Sequence, residues 1–389
     1  MSVDPAAWLD RPGIKRLLKA LDASHGHARF VGGAVRDLLL GEVPGDLDLA
    51  TTFSPDDVVA RLEAAGIKAV PTGIEHGTVT AVASATVVEV TTLRADLATD
   101  GRRATVAFTD DWECDAARRD FTINALYADP FSGELFDYFG GLGDLKARTV
   151  RFIGEPLQRI AEDHLRILRY FRFHAGYGHG NPDPAALDAC TARANDLMAL
   201  SRERIADELL KLLALPDPTL TVRLMIERGI FAPVLPEISD PARLASLVEA
   251  ERAARIAPDP LRRLAALLPA DPPQAEKIAA RLKLSNKAKK RLALAADPSL
   301  GRNPKSLAYR IGPPSAADRL LLAGQPSEAA SIATWTPPRL PLTGGQLIAR
   351  GVPQGPEVAR ILRAIEDAWE EAGFPKVEKF DALVAAALA

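Results

Sequence analysis

The sequence predicts an α+β fold in which a head with a mixed or antiparallel sheet is followed by an all-helical remainder. Short apolar and β-branched runs separated by turns occupy residues 28–93, and two more follow before residue 143. From about residue 143 onward, amphipathic helical segments dominate. At 389 residues the chain is longer than most single hydrophobic cores, so more than one packed unit is expected.

The period of the apolar residues sets the bounds of the predicted elements. Strands are predicted at 29–33, 46–51, 77–84 and 86–93, with a further strand pair at 105–109 and 123–129. Helices are predicted at 55–66, 162–176, 202–215 and 355–373. Pro-rich breaks interrupt the helical part at 257–273, 303–315 and 336–341.

The composition is that of an ordinary globular protein, with 47% hydrophobic and 25% charged residues. No apolar run approaches the ~20 residues of a membrane span, and the first residues lack the apolar stretch of an export signal. Neither a membrane nor a protein partner is implied. Because Cys114 and Cys190 form no CxxC pair or disulfide framework, a reducing, cytoplasmic location is predicted.

Charge is unevenly distributed, although the formal net charge is only −3. Residues 1–150 hold 15 Lys and Arg against 23 Asp and Glu, whereas the remaining residues hold 33 against 28. An acidic first part suits chemistry that depends on a cation, and a basic second part suits a polyanionic partner.

A glycine-rich turn precedes a pair of carboxylates. Gly32 and Gly33 begin the segment GGAVRDLLLG, Arg36 lies within it, and Asp46 and Asp48 follow. Side chains two residues apart on a strand point to the same face, and close carboxylates repel unless a cation lies between them. Oxygen ligands favour Mg²⁺, and paired glycines let the backbone approach a phosphate that an arginine can bind. The alternative is a solvated strand end beside a plain turn.

Glu89 stands within the β-branched segment TVVEVTTL, where an acidic residue is unfavourable unless it has a partner. It is therefore a candidate third carboxylate of a metal site. An outward-facing side chain on a sheet edge is the alternative interpretation.

A series of motifs resembles one family. GGAVRD, DLDLAT, EHGTVTAV, EVTTLRAD, TDGRR, DAARRDFTINALY, GGLGDLKARTVRFIG, EDHLRILRYFRF and SRERIADELLKLL occur in this order. Together they resemble bacterial-type (class II) tRNA nucleotidyltransferases and poly(A) polymerases of the polymerase β-like superfamily, most of all the CCA-adding enzymes. The resemblance covers roughly residues 28–215 and is far more specific than any single motif.

The resemblance implies an active site in the head. Asp46 and Asp48 would bind two Mg²⁺ ions, while the glycine turn and Arg36 would hold a nucleoside triphosphate. Arg119 and Asp120 of RRDFTIN would contact the phosphate and the sugar of the incoming nucleotide, respectively. An internal salt-bridge cluster is the alternative for these two residues.

The resemblance also assigns base selection to the segment EDHLRILR. Asp163 would accept a hydrogen bond from the exocyclic amino group of cytosine or adenine, and Arg166 would donate to the ring nitrogen. Arg169 and Arg172 lie further along the same predicted helix and would reach the triphosphate. Without the resemblance, Glu162, Asp163 and the arginines describe a salt-bridged surface helix.

The family organisation implies four parts: a catalytic nucleotidyltransferase head (1–143), a helical neck with the base-selecting helix (144–215), a tRNA-binding body (216–330) and a tail (331–389). The polar segment 94–109 resembles the flexible loop with which CCA-adding enzymes switch from C to A.

The body contains one concentrated basic run, 277–291, with seven positive residues and no acidic one. Its candidate RNA contacts are Lys283, Lys287, Lys289 and Lys290, although a solvated helix face fits equally well. The predicted substrates are the tRNA 3′ end, CTP and ATP. The alternatives are a poly(A) polymerase and a catalytically silent RNA-binding relative.

Overall fold

The computed structural model describes residues 2–100, 103–301 and 303–388. It divides into two compact units, one of Met1–Ser201 with Glu227–Val234 and one of Arg202–Ile226 with Leu235–Ala389. We call them unit 1 and unit 2. The division falls inside the predicted neck, and the four-part organisation stays a prediction. Within the described ranges, no helix is long and apolar enough to span a membrane.

Nine strands occur in the part of the chain that the structure describes. They are β1 (Ala28–Val31), β2 (Leu47–Thr51), β3 (Lys68–Gly73), β4 (Thr78–Ala83), β5 (Thr86–Thr92), β6 (Arg94–Asp100), β7 (Arg103–Phe108), β8 (Leu126–Ala128) and β9 (Leu135–Asp137). Seven of them form one mixed sheet in the order β3-β4-β5-β2-β1-β8-β9, in which β2 and β5 are parallel and the other neighbours antiparallel. The predicted α+β class is therefore confirmed.

Helices cover most of the rest of the described chain. The first nine are α1 (Ala6–Leu9), α2 (Ile14–Ala20), α3 (Gly33–Leu39), α4 (Pro55–Ala64), α5 (Trp112–Ala117), α6 (Gly141–Lys146), α7 (Pro156–Glu162), α8 (Arg166–Tyr177) and α9 (Pro184–Ala192). The others are α10 (Arg202–Leu213), α11 (Thr219–Glu227), α12 (Ala242–Ala254), α13 (Pro260–Leu267), α14 (Pro272–Arg281), α15 (Asn286–Ala295), α16 (Pro304–Ile311), α17 (Pro313–Leu322), α18 (Pro326–Ala333), α19 (Gly344–Ala349), α20 (Pro356–Glu371) and α21 (Val377–Leu388).

The predicted pairing of 105–109 with 123–129 is wrong. β7 pairs with β6 in a separate two-stranded sheet, and β8 pairs with β1 and β9. Pairing between strands that are adjacent in sequence closes a shorter loop and costs less conformational entropy, so β7 pairs with β6. The segment predicted as a loop at 94–109 is thus largely a strand pair, and its residues 101 and 102 lie outside the described ranges.

The central strands have one buried and one open face. In β5, Val88 and Val90 are buried, whereas Val87 and Glu89, which alternate with them, are exposed. Helices α2 and α4 pack against the strands on the buried side. Since side chains alternate along a strand, the polar residues are left on the open face. That face carries the candidate site.

Proline marks helix starts in unit 2. Pro260, Pro272 and Pro304 each occupy the first turn of a helix, directly after an Asp or Asn whose side chain caps it. A proline there loses no hydrogen bond, because the first amides of a helix have no partner within it. Two of the predicted Pro-rich breaks therefore contain the beginnings of new helices.

A buried network of charges holds helices of unit 2 together. Glu251 of α12 accepts hydrogen bonds from Arg262 and Arg263 of α13, and Asp318 of α17 accepts from Arg262 and from Arg291 of α15. The side chains of Glu251, Arg262, Arg263 and Asp318 are at most 4% exposed. Each buried charge has a partner of opposite sign, which is the condition for burying it.

Asp318→Ala is expected to lower the free energy of unfolding by about 3–5 kcal/mol, because it leaves the buried guanidinium of Arg262 with fewer partners. The matched control is Asp207→Ala, which removes an exposed carboxylate paired with Lys211 and should cost at most about 1 kcal/mol. Urea denaturation of both variants measures the difference. Equal costs would contradict the role given to the buried network.

Candidate functional site

The structure brings Asp46, Asp48 and Glu89 to the open face of the sheet in unit 1. Asp48 lies on β2 and is directly paired in register with Glu89 of the parallel strand β5. Asp46 directly precedes β2 and is exposed, as is Glu89, whereas Asp48 is partly buried. β5 is an interior strand between β4 and β2, so Glu89 does not lie on a sheet edge.

Asp48 shows the electrostatic cost of this arrangement. Burial and the neighbouring charge of Glu89 raise the pKa of Asp48 to about 6, and Asp46 adds to this effect while Arg119 and Arg36 oppose it. Crowded carboxylates that resist ionisation favour a bound cation, and oxygen donors suit a hard divalent ion. The donor set therefore fits such an ion.

These carboxylates do not complete a metal site alone. Across residues 2–100, 103–301 and 303–388, no three His, Cys, Asp or Glu side chains are arranged to hold a metal ion. Further ligands would come from oxygen atoms of a substrate or from water. Direct ligation by Glu89 stays a prediction.

The glycine turn lies between two guanidinium groups. Gly32 has φ +66°, which an L side chain adopts only with strain, and it directly precedes α3. A Cβ on Gly32 would lie 3.7 Å from Nη1 of Arg119, and one on Gly33 would lie 3.6 Å from Nη2 of Arg36. The bare backbone therefore lies close to two cations. Binding of an anionic group by Gly32, Gly33 and Arg36 stays a prediction.

Arg36 is buried and firmly held. Its guanidinium donates to Oδ1 of Asn124 at 2.5 Å, to Oδ1 of Asp37 at 2.8 Å and to the hydroxyl of Tyr177 at 2.6 Å. It also lies 3.9 Å from the centre of the Tyr177 ring. Since Tyr177 ends α8, Arg36 joins the glycine turn to that helix.

Asp120 forms an internal ion pair. Its Oδ2 accepts from Nε and Nη2 of Arg169 at 2.8 and 2.6 Å, and its Oδ1 accepts from Asn124 and from the amide of Phe121. Burial alone would raise the pKa of Asp120, but Arg169 and Asn124 lower it overall. The internal salt bridge left open by the sequence is therefore present, and a contact of Asp120 with the sugar stays a prediction.

Three arginines surround one aromatic ring. The guanidinium carbons of Arg36, Arg169 and Arg172 lie 5.3, 5.3 and 4.4 Å from the centre of the Phe173 ring. They come from α3 and α8, and Arg36 and Arg169 are also paired with Asp37 and Asp120, respectively. A group of arginines of this kind can bind a polyphosphate.

The single helix predicted over 162–176 is wrong in its first turn. α7 ends at Glu162, Asp163 is extended with φ −151° and ψ 107°, and α8 begins at Arg166. Oδ1 of Asp163 accepts from the amide of Leu165 at 3.1 Å. A short acidic side chain that bonds to the nearby backbone competes with helix formation. The predicted helical spacing of Asp163 and Arg166 therefore does not apply.

Arg166 is anchored on one side. Its Nη1 donates to Oε2 of Glu162 at 2.6 Å and to the carbonyl of Arg159 at 2.8 Å, and its Nη2 donates to the carbonyl of Arg118 at 3.2 Å. A guanidinium has five N–H groups. In the described part of the chain, Nε–H and one hydrogen of Nη2 are left for a ligand.

The lysines proposed as RNA contacts lie in unit 2, on or beside α15. Lys283 pairs with Glu203 at 2.7 Å, and Lys289 lies 4.0 Å from Glu276. Lys287 and Lys290 have no acidic partner in the described ranges, so they are the better candidates for a polyanion.

Sequence reasoning assigned no role to several residues that hold the site together. They are Asp37, Asp115, Asn124, Tyr127 and Tyr177. One signal was available: Asp115 precedes Arg118 and Arg119 by three and four residues, the spacing of helical ion pairs. Tyr177 lies 141 residues from Arg36 in sequence, and no local pattern joins the two.

Comparison with known proteins identifies two parts of the chain. Residues 28–151 match the family model "Poly A polymerase head domain", and residues 181–240 match "Probable RNA and SrmB- binding site of polymerase A". The mitochondrial CCA tRNA nucleotidyltransferase 1 of Mus musculus is 36% identical over 95% of this chain and 89% of its own length. The Homo sapiens protein of the same name matches equally.

A solved structure extends the similarity to the fold. The crystal structure of the Bacillus stearothermophilus CCA-adding enzyme in complex with CTP has a TM-score of 0.75 and 28% sequence identity. The match covers 97% of this chain and 98% of that one. The resemblance seen in the sequence motifs is confirmed, and the chain belongs to the family of CCA-adding tRNA nucleotidyltransferases.

Proposed function

We propose that this protein adds C, C and A to the 3′ end of tRNA, with CTP and ATP as substrates and no nucleic-acid template. One observation carries the proposal: similarity to CCA tRNA nucleotidyltransferases extends over 95% of the chain. The carboxylates beside the glycine turn support it, since the reaction joins a hydroxyl to a metal-bound triphosphate. The similar structure of 28% identity is itself a CTP complex.

The proposed cofactor is a pair of Mg²⁺ ions held by Asp46 and Asp48, with Glu89 beside them. When bound, the ions would lower the pKa of the attacking 3′-hydroxyl and neutralise charge on the leaving pyrophosphate. The glycine turn would admit the triphosphate, and Arg36 and Arg119 would bind its oxygens. Arg169 and Arg172 would extend this positive surface. No side-chain nucleophile takes part.

Base selection is proposed for Asp163 and Arg166. The outward N–H groups of Arg166 would donate to the ring nitrogen of cytosine or adenine, and the carboxylate of Asp163 would accept from the amino group. Uracil presents the reverse pattern and would place like groups against each other. Glu162 would orient Arg166 by binding its far side. Such a hydrogen-bonding site rejects a mismatched base strongly.

The body is proposed to contact the tRNA backbone through Lys287 and Lys290, and more weakly through Lys283 and Lys289. The proposed compartment is the cytoplasm. The names of the mammalian relatives include "mitochondrial", so a tagged copy located by microscopy decides between the two.

The sequence added to the 3′ end of a tRNA tests the proposal. The protein is incubated with a tRNA that lacks its 3′ CCA, with each nucleoside triphosphate alone and with CTP and ATP together, and the ends are sequenced. We expect two C residues from CTP and a single terminal A when both are present. A long A tract would instead indicate a poly(A) polymerase, and no incorporation at all would indicate a silent RNA-binding relative.

Asp48→Asn should stabilise the metal-free protein at pH 7.5. The pKa of Asp48 is raised in the folded state, so its ionisation disfavours folding above about pH 6, and this cost disappears as the pH falls towards 4. With about 1.4 kcal/mol per pKa unit, we expect a gain of about 1–3 kcal/mol at pH 7.5 and none at pH 4.

Melting temperatures in EDTA measure this gain, with Asp56→Asn, an exposed carboxylate on α4, as the control. Added Mg²⁺ should stabilise the wild type and leave Asp48→Asn nearly unchanged. If Asp48→Asn melts no higher than the wild type in EDTA, the carboxylate of Asp48 does not destabilise the metal-free protein, and this interpretation is wrong.

Arg166→Ala should change which nucleotide enters. Loss of a charge-assisted hydrogen bond worth about 1.5–3 kcal/mol corresponds to a fall of roughly 10- to 150-fold in the preference for CTP over UTP. kcat/KM for both nucleotides measures it. The matched control is Arg159→Ala, which breaks bonds to Glu162 and to the carbonyl oxygens of residues 118 and 119 and keeps Arg166. If Arg166→Ala melts at a lower temperature than the wild type but keeps the full preference for CTP over UTP, Arg166 has only the structural role of a salt bridge.

A further inference from the structure

Asp115 is an almost completely buried carboxylate in unit 1 that the proposed reaction does not use. It lies on α5, and its side chain is 1% exposed. Four groups donate to it: the guanidinium groups of Arg118 and Arg119, the hydroxyl of Tyr127 and the amide of Arg94. Burial would raise the pKa of Asp115, but Arg119 and Arg118 lower it to about 2. A buried charge with this many donors is fixed in place.

The two oxygen atoms of Asp115 accept hydrogen bonds from different groups. Oδ1 accepts from Arg118 at 2.8 Å and from the amide of Arg94, the first residue of β6, at 3.3 Å. Oδ2 accepts from Tyr127 at 2.7 Å and from Nη2 of Arg119 at 3.1 Å. One side therefore ties the carboxylate to the framework, and the other holds Arg119.

Tyr127 completes the support. Its hydroxyl donates to Asp115 and accepts from Nε of Arg119 at 3.1 Å, and its side chain is fully buried on β8. Burial alone would lower the pKa of Arg119, but Tyr127 and Asp115 raise it overall. The cation is thus kept charged at any working pH.

The remaining end of Arg119 faces the glycine turn. Nε and Nη2 are bound by Asp115 and Tyr127, whereas Nη1 lies 3.7 Å from the position that a Cβ on Gly32 would occupy. A guanidinium is planar and rigid, so fixing one edge sets the direction of the other end. In the described structure, Nη1 points towards the backbone of the glycine turn.

We propose that Asp115, together with Tyr127, is a positioning residue that fixes Arg119 so that its Nη1 faces the triphosphate at the Gly32–Gly33 turn. This inference rests on the proposed nucleotide site. Asp115 does not touch the nucleotide and acts through Arg119. Its loss should therefore weaken binding of the triphosphate more than it slows the chemical step.

The test compares Asp115→Asn, Tyr127→Phe, Arg119→Ala and the double variant Asp115→Asn with Arg119→Ala. We expect KM for CTP to rise about 30-fold in Arg119→Ala, about tenfold in Asp115→Asn and about threefold in Tyr127→Phe, with kcat within about threefold of the wild type. The double variant should exceed Arg119→Ala by no more than about twofold, because both changes remove the same contact.

Two further measurements distinguish a role in positioning Arg119 from a general loss of stability. Inhibition by cytidine, which has no phosphates, should be unchanged in every variant. Glu251→Gln is the matched control, since it disturbs a buried carboxylate that binds two arginines in unit 2 and should lower the melting temperature without changing KM for CTP. If Asp115→Asn does not fold, Tyr127→Phe carries the test, because it keeps the buried ring and removes only the hydroxyl.

The outcomes distinguish this inference from the proposed function. If Arg119→Ala raises KM but Asp115→Asn and Tyr127→Phe behave like Glu251→Gln, the positioning role is overturned and the phosphate contact of Arg119 stands. Fully additive effects in the double variant overturn it as well. If Arg119→Ala leaves KM unchanged while the wild type still completes CCA, then both the contact and its positioning are wrong, although the activity is right.

Discussion

Repulsion among the carboxylates of Asp46, Asp48 and Glu89 is the constraint on which the rest of unit 1 depends. The parallel pairing of β2 with β5 places Asp48 beside Glu89, and the pKa of Asp48 rises to about 6 as a result of burial and of this neighbour. Such a cluster costs folding energy, and a bound cation would offset that cost. Arg36 and Arg119 provide the opposite charge at the glycine turn.

Helix α8 is fixed to this site by polar contacts with the head. Arg169 pairs with Asp120, Asn124 joins Asp120 to Arg36, and Tyr177 at the end of the helix holds Arg36 from the other side. Buried networks of this kind are rigid when every member has its partners. The residues proposed to read the base and those proposed to hold the triphosphate therefore share one framework within unit 1.

Much of the open face that carries the candidate site was predictable from local sequence. The glycine turn, the Asp46–Asp48 spacing and the alternation in β5 each depend on residues close together in the chain. Three features were not predictable in this way: the strand partner of β7, the break at Asp163 and the contact of Tyr177 with Arg36. β7 pairs with the neighbouring strand β6 and not with the more distant strand that the sequence also offered. The contact of Tyr177 with Arg36 joins residues 141 apart in sequence, and the break depends on one side chain that competes with the helix for a backbone amide. The family's motifs contain Asp37 and Asp115, but the motifs alone did not show that these carboxylates hold Arg36 and Arg119.

The most direct test of this account is the pKa of Asp48 in the metal-free protein. It is measured by ¹³C NMR of the aspartate carboxyl carbons, and a spectrum of Asp48→Asn assigns the signal. We predict a pKa of about 6 without metal and a clear fall when Mg²⁺ is added. A value close to that of an ordinary aspartate, about 4, and unchanged by Mg²⁺ would contradict the claim that the crowded carboxylates form the metal site.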